Sequence, residues 1–353
     1  MHDRRPQLDS LRAVAVTTVL FAHFWMPETE LSVWGVRLFF VLSGYLLTGI
    51  LLAERDAAVA SNVAFSKVLK GFYARRLLRI WPAYFAALAI ALAGATAAGD
   101  TRIWDAVLWH ALFASNIYFF VEQQWFPLGH FWSLGVEEQF YIVLPLAVLF
   151  IHKPRVGRIF LVSIALAFVY RAAVALTVPG KLDFYALLPF AQMDALGGGA
   201  LLAWVEHRKR EIDWKRLLLW SLPLTLALVA APFSDPLDFV VVKIVSVIPM
   251  VALVAGASAG MQGLAGDLLS SRPTVWIGRI SYGIYLYHPL VGAAAKRVGT
   301  VLGYQVEDGP FAFLLFSALT ILVAMCSWVW LERPLLSLRR YFPRRSAYAG
   351  DPK

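Results

Sequence analysis

The chain has 353 residues, 59% of them hydrophobic and only 16% charged, with a formal net charge of +9. Soluble domains run at about 45–50% apolar and about 25% charged residues, so a water-soluble globular fold of this length is excluded. The basic excess would point to nucleic acid in a soluble protein. Here Lys and Arg stand between apolar segments, so lipid is the expected surrounding and nucleic acid is not an expected partner.

Apolar runs of about 17–25 residues, enough to cross a bilayer as a helix, predict spans at 8–26, 33–53, 82–99, 137–152, 157–177, 184–206, 216–232, 237–259, 276–298 and 311–331. These ten predict an all-α, polytopic transmembrane bundle occupying residues 1–340, followed by a basic tail, 341–353. The run 103–121 holds Asp105, His110 and Asn116 and is expected to be re-entrant or to lie on the membrane surface. Segment 54–81 reads as a short basic amphipathic piece on the inner leaflet. Most of the 32 Lys and Arg fall on one side of this arrangement, including Arg4, Arg5, the Arg55–Arg79 segment, Lys153–Arg158, Arg208–Arg216, Arg272 and Arg333–Lys353. Glu28, Glu30, Asp100, Asp235, Asp238, Glu307 and Asp308 fall on the other. The positive-inside rule then places both termini in the cytosol. No cleavable leader is expected, because the first span carries Arg12 and His23 and lacks a small-residue cleavage site. The single cysteine, Cys326, gives no disulfide framework. The seven histidines form no i, i+4 pair, so no metal site is expected. Walker, dinucleotide and Gly-x-Ser-x-Gly patterns are absent.

Ionisable groups within an apolar helix are costly in hydrocarbon and turn to a bundle interior or wet cavity by default. Arg12 and His23 are eleven residues apart, which returns to within about 20° of one helix face, roughly 16 Å along the axis. They are therefore expected to line one side of one cavity, with Arg12 suited to a phosphate or to Asp9. The plainer alternative has Arg12 reaching lipid phosphates and His23 only bridging helices. Arg76 and Arg79 share a helical face and could grip a phosphate with fork geometry; plain topology is the alternative. Glu137 and Glu138 stand with His130, Trp132 and Ser133 where the chain re-enters the membrane, and successive positions differ by about 100°, so one carboxyl can face the bundle. Tyr285 and His288 share a face beside Ser281 and Tyr282, ahead of Pro289. Asp194 with Gly197, Gly198 and Gly199 reads as a close helix-packing face with one buried acid.

The strings LDSLRAVAV with FAHF, GVRLFFVLSGYLLTGILL, FYARRLLRIWPAYF, HFWSLGVEEQFYIVLPL, ISYGIYLYHPLV and ERPLL run in this order from Leu8 to about Leu336. Together they resemble the acyltransferase-3 family of bacterial integral membrane O-acyltransferases. Ser10 stands where that family usually has Gly, and Arg37 where Asp is common. The resemblance implies a multi-pass protein of the bacterial inner membrane that moves an acyl group, acetyl above all, from cytosolic acetyl-CoA to a hydroxyl of a glycan or lipid-linked glycan. It implies His23 as the catalytic group with Glu137 and Glu138, and Arg12, Arg76 and Arg79 on the donor's phosphates. Acceptor contacts would come from His130, Trp132, Ser133, Tyr285, His288 and Arg37, with a hydrogen-bonded histidine at a helix interface as the equal alternative for His288. Buried charges in a bundle equally mark a secondary transporter of a small amphipathic or sugar-linked solute, and that reading stays open on the sequence, as does a membrane scaffold.

Overall fold

The computed structural model describes residues 5–231 and 235–344. The predicted tail therefore lies outside the described residues beyond 344, as does Arg4. Among the described residues the chain is all helical, without a strand. Ten long helices run through it: α1 Pro6–Phe24, α2 Leu31–Ala60, α3 Phe65–Ala97, α4 Phe131–Phe150, α5 Lys153–Thr177, α6 Pro189–His207, α7 Trp214–Ala230, α8 Asp235–Ala259, α9 Arg272–Val301 and α10 Pro310–Tyr341. Six of them, α2, α3, α4, α5, α8 and α10, are long and apolar enough to cross a membrane. A seventh candidate is α6 together with the short helices just before it, bent by 55° at a break ahead of Pro189. The others stop short of that measure for visible reasons. Asp9 and Arg12 interrupt α1, α7 has 17 residues, and α9 carries Arg272, Arg279, Lys296 and Arg297.

Each predicted span falls within one of these helices or at its ends, but segment 54–81 does not lie apart as expected. It is the continuation of α2 and α3, joined by a turn at 61–64. Arg55 and Arg75 find partners inside the fold: Arg55 donates to the carbonyls of Val148 and Ile151 at 2.5 and 2.8 Å, and Arg75 lies 3.7 Å from the buried Glu54. The awkward run 103–121 forms three short helices, Arg102–Asp105, Val107–Ala111 and Ser115–Glu122. Two of its polar residues find partners inside the fold, His110 Nδ1 with Ser115 at 2.7 Å and Asn116 in a reciprocal amide pair with Gln139 of α4 at 2.9 and 3.2 Å. The exterior is apolar: Leu219, Trp220 and Leu226 of α7, Leu161, Val162 and Val169 of α5 and Trp330 of α10 are all exposed. An exposed apolar coat of this extent is what a lipid surrounding requires.

Helices α1, α2, α6 and α9 form the centre. Successive residues of a helix point about 100° apart, so the three consecutive glycines of α6 address three neighbours. A Cβ at Gly197 would strike Ser163 of α5, one at Gly198 would crowd Val247 of α8, and one at Gly199 would overlap the Val41 carbonyl of α2. Gly44 makes the reciprocal approach to Leu196. The sequence reading of this stripe as a packing face holds. Wide helical turns interrupt α8 at Asp238–Val242 and α10 at Trp328–Glu332. In α10, Pro334 withholds the N–H that would have bonded to the Trp330 carbonyl.

Candidate active site

Two cavities open inside the bundle. The first is a narrow cleft of about 70 Å³ that brings together Arg12 of α1, Ser43 of α2, Arg76 and Arg79 of α3, Ser133, Glu137, Glu138 and Tyr141 of α4, and Ser281, Tyr282 and Tyr285 of α9. The three guanidiniums make no ion pair and no side-chain hydrogen bond among the described residues, and Arg12 Nε is buried without a partner. Arg76 instead packs its charge over the rings of Phe72 and Tyr141, at 5.6 and 5.9 Å. The carboxyls on α4 differ. Glu137 is anchored, accepting from Ser43 Oγ and from the Tyr141 hydroxyl, each at 2.9 Å. Glu138 is the uncommitted acid, its Oε1 buried without a partner among the described residues.

The second cavity is about ten times larger, roughly 690 Å³, and holds His23 of α1, His130 and Trp132 at the start of α4, Trp125, Glu30, Asp183, Gln192, Asp235, Asp238 and Lys243. His23 is exposed into it. Arg12 and His23 thus share a helix but not a cavity, contrary to the sequence expectation. Val36 of α2 and Tyr285 of α9 line both spaces and form the wall between them. Glu137 and Glu138 lie on the arginine side of that wall, so neither adjoins His23.

The ring packed against His23 is that of another histidine. The His23 ring lies 4.7 Å from that of His288, which in turn lies 5.4 Å from that of His130. His288 is fully buried; its Nδ1–H donates to the Tyr285 carbonyl at 2.7 Å, which fixes the tautomer and leaves Nε2 as a buried lone pair without a partner. His130 is fixed likewise, with Nε2–H donating to the Leu286 carbonyl at 3.1 Å. The wall is sewn by the Tyr285 hydroxyl, 2.6 Å from Ser133 Oγ and donating to the His130 carbonyl at 3.1 Å. Trp132 lines the larger cavity and meets Phe40 edge-on.

Arg37 is not at either cavity. It is buried, donating to Gln192 at 3.0 Å, to Asp194 at 2.7 Å and to the Lys243 carbonyl at 2.6 Å. Asp194 also takes both ends of the Arg171 guanidinium, at 2.8 and 3.1 Å. A buried guanidinium needs such a carboxylate, and this one ties α2, α5 and α6 together behind the site. The sequence reading passed over Arg171, although a lone charge in an apolar run was signal enough that it needed a partner. It also passed over Tyr141, whose place four residues after Glu137 puts it on the same helix face, and Ser43 in the second string.

A helical bundle with an apolar coat, enclosing two adjoining polar cavities, is the build of a multi-pass membrane protein with an internal site. The chain belongs to the acyltransferase-3 family: the family model described as an acyltransferase domain matches residues 5–329. It is similar to the peptidoglycan O-acetyltransferase OatA of Listeria monocytogenes, at 27% identity over 94% of this chain and 55% of that protein. It is also similar to YrhL of Bacillus subtilis, named as a peptidoglycan O-acetyltransferase, at 26% identity over 98% of this chain and 57% of that protein. The chain therefore spans somewhat over half the length of these relatives. No solved structure matches it.

Proposed function

We propose that this chain is an acyl-CoA-dependent O-acetyltransferase acting on a hydroxyl of a glycan or lipid-linked glycan. In this reading all ten long helices cross the bacterial cytoplasmic membrane, with both termini in the cytosol. The observation that carries it is the pairing of two spaces across one wall: three guanidiniums without a partner among the described residues on one side, and a solvent-reached histidine on the other. Unpaired arginines in a confined site suit a diphosphate, which offers fork-matched oxygens. The thioester end of the donor would pass the seam of Val36 and Tyr285 to reach His23. There His23 takes the proton of the acceptor hydroxyl while its oxygen attacks the acetyl carbonyl carbon. The C–O bond forms, the C–S bond breaks, and the CoA thiolate leaves toward the arginines and takes up a proton. His288, buried against His23, limits how that imidazole can turn. Glu138, the unanchored acid, is placed to serve the donor side.

The test uses the full chain in lipid vesicles, with thiol release from acetyl-CoA and acetyl gain by an acceptor glycan read in parallel. His23→Ala should cost at least about 10²-fold in transfer, the usual size of a general-base loss. Arg76→Ala and Arg79→Ala should raise the KM for acetyl-CoA with kcat nearly held. Full transfer by His23→Ala, or acceptor movement across the vesicle without acetyl-CoA, would overturn the proposal, the latter in favour of transport.

A further inference from the structure

The two cavities carry opposite charge. The cleft sets three guanidiniums, Arg12, Arg76 and Arg79, against two carboxyls, Glu137 and Glu138, so cations are in excess there. The larger space is walled by Glu30, Asp183, Asp235 and Asp238 against one cation, Lys243. That cation is already committed, paired with Glu30 and lying 3.2 Å from Asp238, while its carbonyl receives Arg37. Asp183 and Asp235 are exposed to the cavity and have no cation within ion-pair distance among the described residues. Residues 232–234, beside Asp235, are Pro, Phe and Ser and add no charge. Trp125, half exposed, and Trp132 line the same space.

From this we infer that the histidine cavity is an acceptor site for an uncharged or amino sugar, and that it rejects uronate- and phosphate-bearing glycans. Its volume lies within the range of about 300–1,000 Å³ that holds small-molecule ligands. Tryptophan offers an apolar face with a polar edge, as a sugar ring does, and an ammonium is drawn to such a face. Carboxylates accept from sugar hydroxyls and from an ammonium group. For an anion, a cleft walled by one sign of charge focuses the field against entry. The same field keeps the donor's phosphates on the arginine side, so only the thioester end crosses the wall. This inference rests on the acetyltransfer reading for its purpose but on the cavity's charge for its content.

The experiment therefore measures binding apart from turnover. Three labelled tetrasaccharides are titrated against the detergent-purified full chain by fluorescence polarisation: N-acetylglucosamine, glucosamine and galacturonate oligomers. The first two should bind at least about tenfold more tightly than the third, since like-charge juxtaposition discriminates strongly. Asp183→Lys/Asp235→Lys should bring the galacturonate oligomer to equal or tighter binding. Asp183→Asn/Asp235→Asn, which keeps nearly the same shape, should narrow the gap in the same direction even if the lysine pair does not fold. Galacturonate binding as tight as the neutral oligomer, no binding of any oligomer, or a ratio unmoved by the asparagine pair would each overturn the inference. Charge-selective binding together with no acetyl transfer from acetyl-CoA would leave the inference standing and remove the enzymatic reading.

Discussion

Removing Asp194 tests how the centre of the bundle is held. Its two oxygens accept from Arg37 at 2.7 Å and from Arg171 at 2.8 and 3.1 Å, and Oδ1 also takes the Ala195 N–H at 2.8 Å. All three side chains are at most 2% exposed. Asp194→Ala would leave two guanidiniums buried with only neutral acceptors. Breaking one buried pair costs about 3–5 kcal/mol, and two cations share this acid, so the upper end is expected. At 1.4 kcal/mol per decade, that range lowers the folded-to-unfolded ratio roughly 10²- to 10⁴-fold. The measurement is a dodecyl sulfate titration of the micellar protein followed by intrinsic fluorescence. The control is the neutral triple replacement Arg37→Met, Arg171→Met and Asp194→Leu, which removes every charge at once and should lie within about 1–2 kcal/mol of the wild type. An Asp194→Ala protein within about 1 kcal/mol of the wild type would refute the reasoning. So would a triple variant no more stable than the single one.

Three further outcomes follow from the geometry. Tyr285→Phe unpicks the wall between the cavities, so hydrolysis of acetyl-CoA without acceptor should rise several-fold while stability falls by about 1 kcal/mol, the net worth of a typical hydrogen bond; thiol release with and without acceptor checks it. Glu137→Gln and Glu138→Gln should separate, because Ser43 and Tyr141 reach different oxygens of Glu137 and an amide there puts an NH2 donor in place of one of them, which weakens the fold, whereas the change at 138 should lower kcat and spare stability; unfolding titrations beside initial rates decide. Gly199→Val puts a branched side chain into the Val41 carbonyl and should cost at least about 1–3 kcal/mol, while Gly94→Ala, with nothing within 4 Å, should be neutral or stabilising in the same unfolding titration.

Much of the site was legible along the chain because its parts lie close together in sequence. Arg76 and Arg79 are one helical turn apart, Glu137 and Glu138 are adjacent, and Tyr285 and His288 share a face, so helix geometry alone joins them. Six ordered strings were enough to mark the family, and apolar runs were enough to mark the ten long helices. The extent of α2 and α3 was not legible, because Glu54, Arg55 and Arg75 look like loop residues until the chain around Val148 and Ile151 comes to meet them.

The sequence by itself determined that the exterior is apolar, that the polar residues must turn inward, and which of them lie on one helix face. Helix periodicity and the cost of a bare charge in hydrocarbon carry that much. Only the tertiary structure decided which of those faces meet. Arg12 and His23 point the same way from α1, yet Val36 of α2 and Tyr285 of α9 close between them and make two cavities of opposite charge. Arg37, which seemed bound for the pocket, went to Asp194, 157 residues away. Pairings at that separation are set by how close the helices can approach. That approach is fixed by glycines whose consequence, unlike a charge, cannot be read until the neighbour is in place.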